Sequence, residues 1–218
     1  ILETTFPGSS WTWEWLSRGG GRVDRLSVWV GSLSSSSSNR CMRVGRKNII
    51  ASIEGDSSGA VESSFNSVME IPRGAHLTIV DPVLIESGLQ NSWHDMAVGS
   101  GSGSSWVRIE GRRPMLIHTD ELSGDDEVRG FVVATGKIVQ HRLSAPELHT
   151  IDQLAASVAK KRISNLTLRS SLDPEIHPTL QRRITKELKG TEGTKGFMVD
   201  FDVVRPTGKH KVYVVCKE

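Results

Sequence analysis

From Trp11 to Val139 apolar residues recur at about every second position in one short segment after another, and only after Leu143 does the spacing lengthen to nearly four. A period of two sends successive side chains to opposite faces of an extended backbone, so this pattern commits most of the chain to sheet. Trp11, Trp13 and Trp15 alternate and project from one face if extended, whereas in a helix they would fan around the axis. Leu26, Val28 and Val30 repeat the pattern beyond Arg18, the glycines Gly19 to Gly21, and Arg22, which read as a flexible turn.

The serine run Ser34 to Ser38 carries no apolar side chain and reads as a solvent-exposed loop. Met42, Val44, Ile49, Ile50 and Ile53 suggest two short strands around Gly45, with Arg40, Arg43, Arg46 and Lys47 giving a locally basic face. The cleanest alternation is Val61, Phe65, Met69 and Ile71, ended by Pro72 and Gly74. Further strands follow at Leu77 to Val80, Trp106 to Ile109, Met115 to Ile117 and Val128 to Val139. In the helical part, Thr150 and Gln153 form a capping-box pattern before Ile151, Leu154, Ala155 and Val158. A second helix begins near Pro178, carries Leu180, Ile184 and Leu188, and stops at Gly190. Phe197, Val199, Phe201 and Val203 then share a strand face, and Arg205-Pro206-Thr207-Gly208 turns the chain into a last strand.

The expected fold is therefore β-rich, a mainly antiparallel sandwich or barrel with the jelly roll among its forms, closed by a C-terminal α+β segment of two helices and a terminal β hairpin. Residues 1–22 read as a Trp-rich arm, 23–143 as the β-rich body, and 144–218 as a helix-helix-hairpin segment packed on that body. With 37% hydrophobic and 24% charged residues the composition is that of a folding chain, and a net charge of +2 excludes a polycation. No run approaches the roughly 20 apolar residues that cross a bilayer. Ile1 in place of an initiator Met reads as a processed or trimmed start, and localisation is open.

No local pattern carries a cofactor or a metal. Gly19 to Gly21 fits neither a dinucleotide fingerprint nor a phosphate-binding loop with its lysine. Cys41 and Cys216 belong to no His/Cys cluster and read as buried free thiols, with a disulfide between them as the alternative, and the seven histidines are scattered singly. Asn165-Leu166-Thr167 fits a glycosylation sequon formally. Asp200 and Asp202 share one face of the final hairpin, read as its solvent side. Ser104 lies in a low-complexity loop without a nucleophile elbow, so the most enzyme-like cluster is Trp93-His94-Asp95, whose neighbours would diverge in an extended chain.

The lead from Ser9 to Val30 resembles that of jelly-roll coat proteins of picorna-like plant viruses, and the terminal helix and hairpin are similar to the ending of rhabdovirus-type matrix proteins. These resemblances imply a non-enzymatic, self-assembling structural protein, coat-like or matrix-like, that contacts nucleic acid or a membrane surface; if viral, it would work in the virion and host cytoplasm. The interaction residues expected are Trp11, Trp13, Trp15, Arg18, Arg22, Arg40, Arg43, Arg46 and Lys47. Two other readings are a hydrolase with its site near Trp93-His94-Asp95 and a monomeric nucleic-acid-binding module using residues 40–47.

Overall fold

The computed structural model describes residues 2–56, 70–99, 103–107, 112–142 and 144–218. Of the alternation expected from Val61 to Ile71, residues 61–69 lie outside the described residues, and Ile71 is not in a strand. The chain is β-rich and divides into two compact units, one of residues 1–66, 79–116 and 120–133, the other of 67–78, 117–119 and 134–218.

In the first unit a short helix α1 (Leu2–Thr5) precedes β1 (Trp11–Ser17), β2 (Arg25–Val30), β3 (Asn39–Val44) and β4 (Ile49–Gly55). They form a sheet in the order β2-β1-β3-β4. β1 is antiparallel to β2 but parallel to β3, which is antiparallel to β4. The segment expected as an arm thus contributes an interior strand, hydrogen-bonded on both sides. The serine run makes the parallel return, and it does not stand free in solvent as expected. The Thr12 hydroxyl accepts the Ser35 N–H at 2.9 Å and donates to the Ser37 carbonyl at 2.8 Å, so the run folds across the start of β1.

Next come β5 (His76–Val80), α2 (Val83–Glu86), α3 (Gln90–Val98), β6 (Ser104–Val107), β7 (Met115–His118), α4 (Asp126–Arg129) and β8 (Val132–Arg142); β5, β7 and β8 contribute residues to both units. Helices in this stretch correct the all-strand expectation. In α3 the buried residues Gln90, Trp93 and Ala97 fall at helical spacing, so Trp93, His94 and Asp95 are helical, not extended. The first unit's core joins Cys41, Ala51 and Ile53 from the sheet to Leu84, Trp93 and Phe131.

The second unit continues with α5 (Ile151–Ala159), β9 (Ile163–Leu168), α6 (His177–Glu187), β10 (Thr194–Arg205) and β11 (Gly208–Lys217). Its strands belong to a seven-stranded sheet of order β6-β7-β5-β8-β11-β10-β9. The terminal hairpin is present, with Phe201 opposite Val212 and the turn at Arg205 and Gly208. β9, unassigned in the sequence, pairs parallel with β10 because α6 carries the chain back. Neither sheet closes into a barrel. Thr150 does not cap α5: its hydroxyl accepts the Glu147 N–H at 3.2 Å, which takes it away from the helix donors. Leu154 and Val158 of α5 and Leu180 and Ile184 of α6 pack with Met198 and Tyr213 over one sheet face. That cover corrects the reading of Asp200, which is fully buried; Asp202 alone is exposed.

Candidate anion-binding cavity

Sheet parity sorts the expected interaction residues into two groups. Trp13 pairs with Asn39, Trp15 with Cys41 and Ser17 with Arg43, so the tryptophans share a face with Cys41 and Arg43. Trp11, Trp13 and Trp15 are half-buried, and Trp15 packs against the first unit's core. Arg40 belongs to the opposite face with Glu14 and Glu54. It bonds Glu54, and its Nη1 lies 3.3 Å from Glu14, whose carboxylate also pairs with Arg25 at 3.6 Å. Partial burial opposes the Arg40 charge, but these two carboxylates outweigh it and hold the guanidinium above its ordinary value. Arg22 pairs with Asp24 at 3.9 Å, and Lys47 is exposed in the turn between β3 and β4. The stretch 40–47 therefore does not present one continuous basic face.

Arg18, Arg43 and Arg46 do come together. With Val44, Gly45 and Ile50 they line a cavity of about 490 Å3. The guanidinium of Arg43 is fixed on one edge, where its Nε lies 3.4 Å from Oδ2 of Asp81. Asp81 is 1% exposed, and its carboxylate also accepts the Ser17 hydroxyl at 2.8 Å and the Val83 N–H at 3.1 Å. Nη1 of Arg43 is buried and has no hydrogen-bond partner among the described residues. The side chains of Arg18 and Arg46 likewise have none there, so the cavity keeps an excess of positive charge after Asp81 has offset Arg43.

The turn beside it requires glycine. Gly19 has a φ of 85°, and a Cβ at this position would stand 1.8 Å from Nη2 of Arg43. From the other side Arg113 donates to the Gly19 carbonyl at 2.8 Å. Neither Asp81 nor Ser17 belongs to the expected site, because their contact joins residues 64 positions apart and leaves no local spacing to read.

Other clusters have chemistry but lack a complete arrangement. His94 Nε2 lies 2.6 Å from the Ser104 hydroxyl and its Nδ1 3.3 Å from Asp95. The Asp95 side chain is 62% exposed, however, and Ser104 opens strand β6 without an elbow. Among the described residues no buried acid orients the imidazole, so the cluster lacks the third member of a nucleophile–base–acid arrangement. In the second unit, Asp200 accepts the Ser171 N–H at 2.6 Å and pairs with Lys211 at 3.4 Å, which fastens the loop after β9 to the hairpin. Among the described residues no group of three or more His, Cys, Asp or Glu is placed to hold a metal ion. No described helix is long and apolar enough to cross a membrane.

Both cysteines are free and buried. Burial pushes the Cys41 thiol up from 9.0 to about 12, and it pushes Cys216 in the same direction. A folded state that prefers the protonated thiol keeps this stabilisation below the ordinary value and loses it as pH rises from 9.0 toward about 12. Neither thiol is expected to react with a disulfide reagent at pH 8 until denaturant is added. Rapid release of one equivalent from the folded chain would show one of the two to be accessible.

No protein-family model matches the chain, and no curated protein matches it. A solved structure from Porphyromonas gingivalis W83, described as a "putative methyltransferase", is similar at 12% identity with a TM-score of 0.48, covering 94% of this chain and 45% of that one. The chain thus spans less than half the length of that structure. The expectation of a coat-like or matrix-like structural protein finds no support in these comparisons and is not retained; at this identity and TM-score the likeness itself carries no argument about activity.

Proposed function

We propose that the first unit binds a small phosphate-bearing molecule in the cavity of Arg18, Arg43 and Arg46. The observation that carries this reading is the convergence of Arg18, Arg43 and Arg46 on one cavity, where Asp81 pairs with the Nε edge of Arg43 and the side chains of Arg18 and Arg46 have no partner among the described residues. Clustered cations that no carboxylate offsets raise the local positive potential, and an anionic oxygen accepts charge-assisted hydrogen bonds from them. Arg18 and Arg46 extend the positive lining, and a volume of about 490 Å3 is in the range of small-molecule sites. Guanidinium forks match the planar, bidentate geometry that phosphate oxygens offer.

Calorimetric titration of the full chain with pyrophosphate tests the reading. Binding is expected, and Arg43→Gln and Arg46→Gln should each weaken it about tenfold. Arg46 is the cleaner probe because it is exposed and its removal disturbs no described partner. Affinity unchanged in both variants would overturn the assignment.

A further inference from the structure

We infer that Asp81 is a positioning residue for the anion site: it holds the Arg43 guanidinium in its receiving orientation, and its negative charge is not there to weaken the cavity. This rests on the reading of the cavity as a phosphate site. Asp81 would ordinarily be judged unfavourable beside such a cavity, because a carboxylate near the cations repels an incoming anion. Its surroundings point the other way. The carboxylate is held by Ser17 and the Val83 N–H, and the Asp81 main-chain N–H donates to the Phe131 carbonyl at 2.9 Å. Ser17 from β1 and the N–H two residues on thus hold the carboxylate, Phe131 anchors its main chain, and its Oδ2 lies 3.4 Å from Nε of Arg43.

The other flank of Arg43 is equally specific. Ser17 links the two sides, since its hydroxyl donates to Asp81 and accepts the Gly19 N–H at 3.0 Å. Gly19 lies so close to the guanidinium that no side chain fits between them, and Arg113 holds the Gly19 carbonyl from beyond. A long, rotamer-rich side chain is thereby confined before any ligand arrives, so less conformational entropy is lost on binding.

Two variants separate positioning from simple charge, because for each the two accounts predict different results. Asp81→Asn removes a negative charge while keeping the shape. Charge alone predicts tighter pyrophosphate binding, whereas positioning predicts binding weakened about fivefold or more. Gly19→Ala alters no charge, so charge alone predicts no change. Positioning again predicts weakening, because the new methyl displaces the guanidinium. If Asp81→Asn does not fold, Gly19→Ala decides: the atoms it meets belong to the end of the Arg43 side chain, and the strain of alanine at a φ of 85° is read separately in its thermal midpoint.

Nitrogen-15 NMR of the arginine Nε–H groups supplies a readout independent of ligand: a slowly exchanging Arg43 signal in the wild type, lost in Asp81→Asn while the thermal midpoint of Gly19→Ala stays cooperative. Weakening in both variants together with loss of that signal supports the inference. If pyrophosphate binds the wild type and Arg46→Gln weakens it, but both Asp81→Asn and Gly19→Ala bind as well or better, the positioning role is overturned and the cavity reading stands. No binding by the wild type overturns both.

Discussion

Phe201→Ala is expected to lower the unfolding free energy by about 3–5 kcal/mol, the cost of emptying a fully buried aromatic site. Phe201 is 0% exposed in β10 and lies opposite Val212, itself buried, with Val199 and Val203 on the same face. The other face of β10 offers no relief, because Met198 and Asp200 are buried too. A strand enclosed on both sides has little room to collapse into a cavity, which favours the upper part of the range. Phe201→Leu keeps most of the volume and should cost less than about 1.5 kcal/mol. Denaturant unfolding followed by far-ultraviolet circular dichroism measures both. A loss below about 1 kcal/mol for the alanine variant would show that this face of the hairpin is not core.

The terminal hairpin was legible because its two determinants are local: strict alternation from Phe197 to Val203, and turn residues at Arg205 to Gly208. The helices α5 and α6 were legible for the same reason, their apolar residues standing four apart. β9 was not. Its buried residues Ile163, Leu166 and Leu168 break parity, and the pairing with β10 shifts register between Thr194 and Lys195. A strand whose alternation is interrupted by a bulge loses the signal that identifies it. Asp200 misled in a different way. Alternation placed it away from the apolar face, but helices cover that face as well, and nothing within the strand records what packs on its far side.

The cavity was half legible. Arg18, Arg43 and Arg46 stand out as cations, yet so do Arg22 and Arg40, and a sequence does not say which of them have a carboxylate opposite. Cross-strand register decided it, putting Arg40 opposite Glu54 and Arg43 opposite Ala51. The partner of Arg43 comes from the end of β5, a contact between distant segments that only the folded sheet creates. The parallel pairing of β1 with β3 was hidden likewise, since a run of serines announces a loop but not the Thr12 hydroxyl on which it settles.

Trp93→Ala is expected to cost about 3–5 kcal/mol as well, and its effect should be confined to the first unit. Trp93 is 0% exposed on α3, its ring centroid 5.9 Å from that of Trp106, and its indole N–H donates to the Val128 carbonyl at 3.2 Å. Truncation removes one of the two tryptophans of that core together with its indole hydrogen bond, while the Val128 carbonyl keeps the Phe131 N–H at 3.3 Å as a donor. Trp93→Phe separates the two losses. It retains most of the ring volume, and its expected cost of about 1–3 kcal/mol combines a modest cavity with the loss of the indole hydrogen bond. All six tryptophans lie in the first unit, so intrinsic fluorescence follows this unit, while the sole tyrosine, Tyr213, belongs to the other. The fluorescence midpoint should therefore fall steeply in Trp93→Ala, with five tryptophans left to report it. An unchanged midpoint would mean that α3 contributes little to the core, and that the elements bearing Cys41, Ala51 and Asp81 are held together without it.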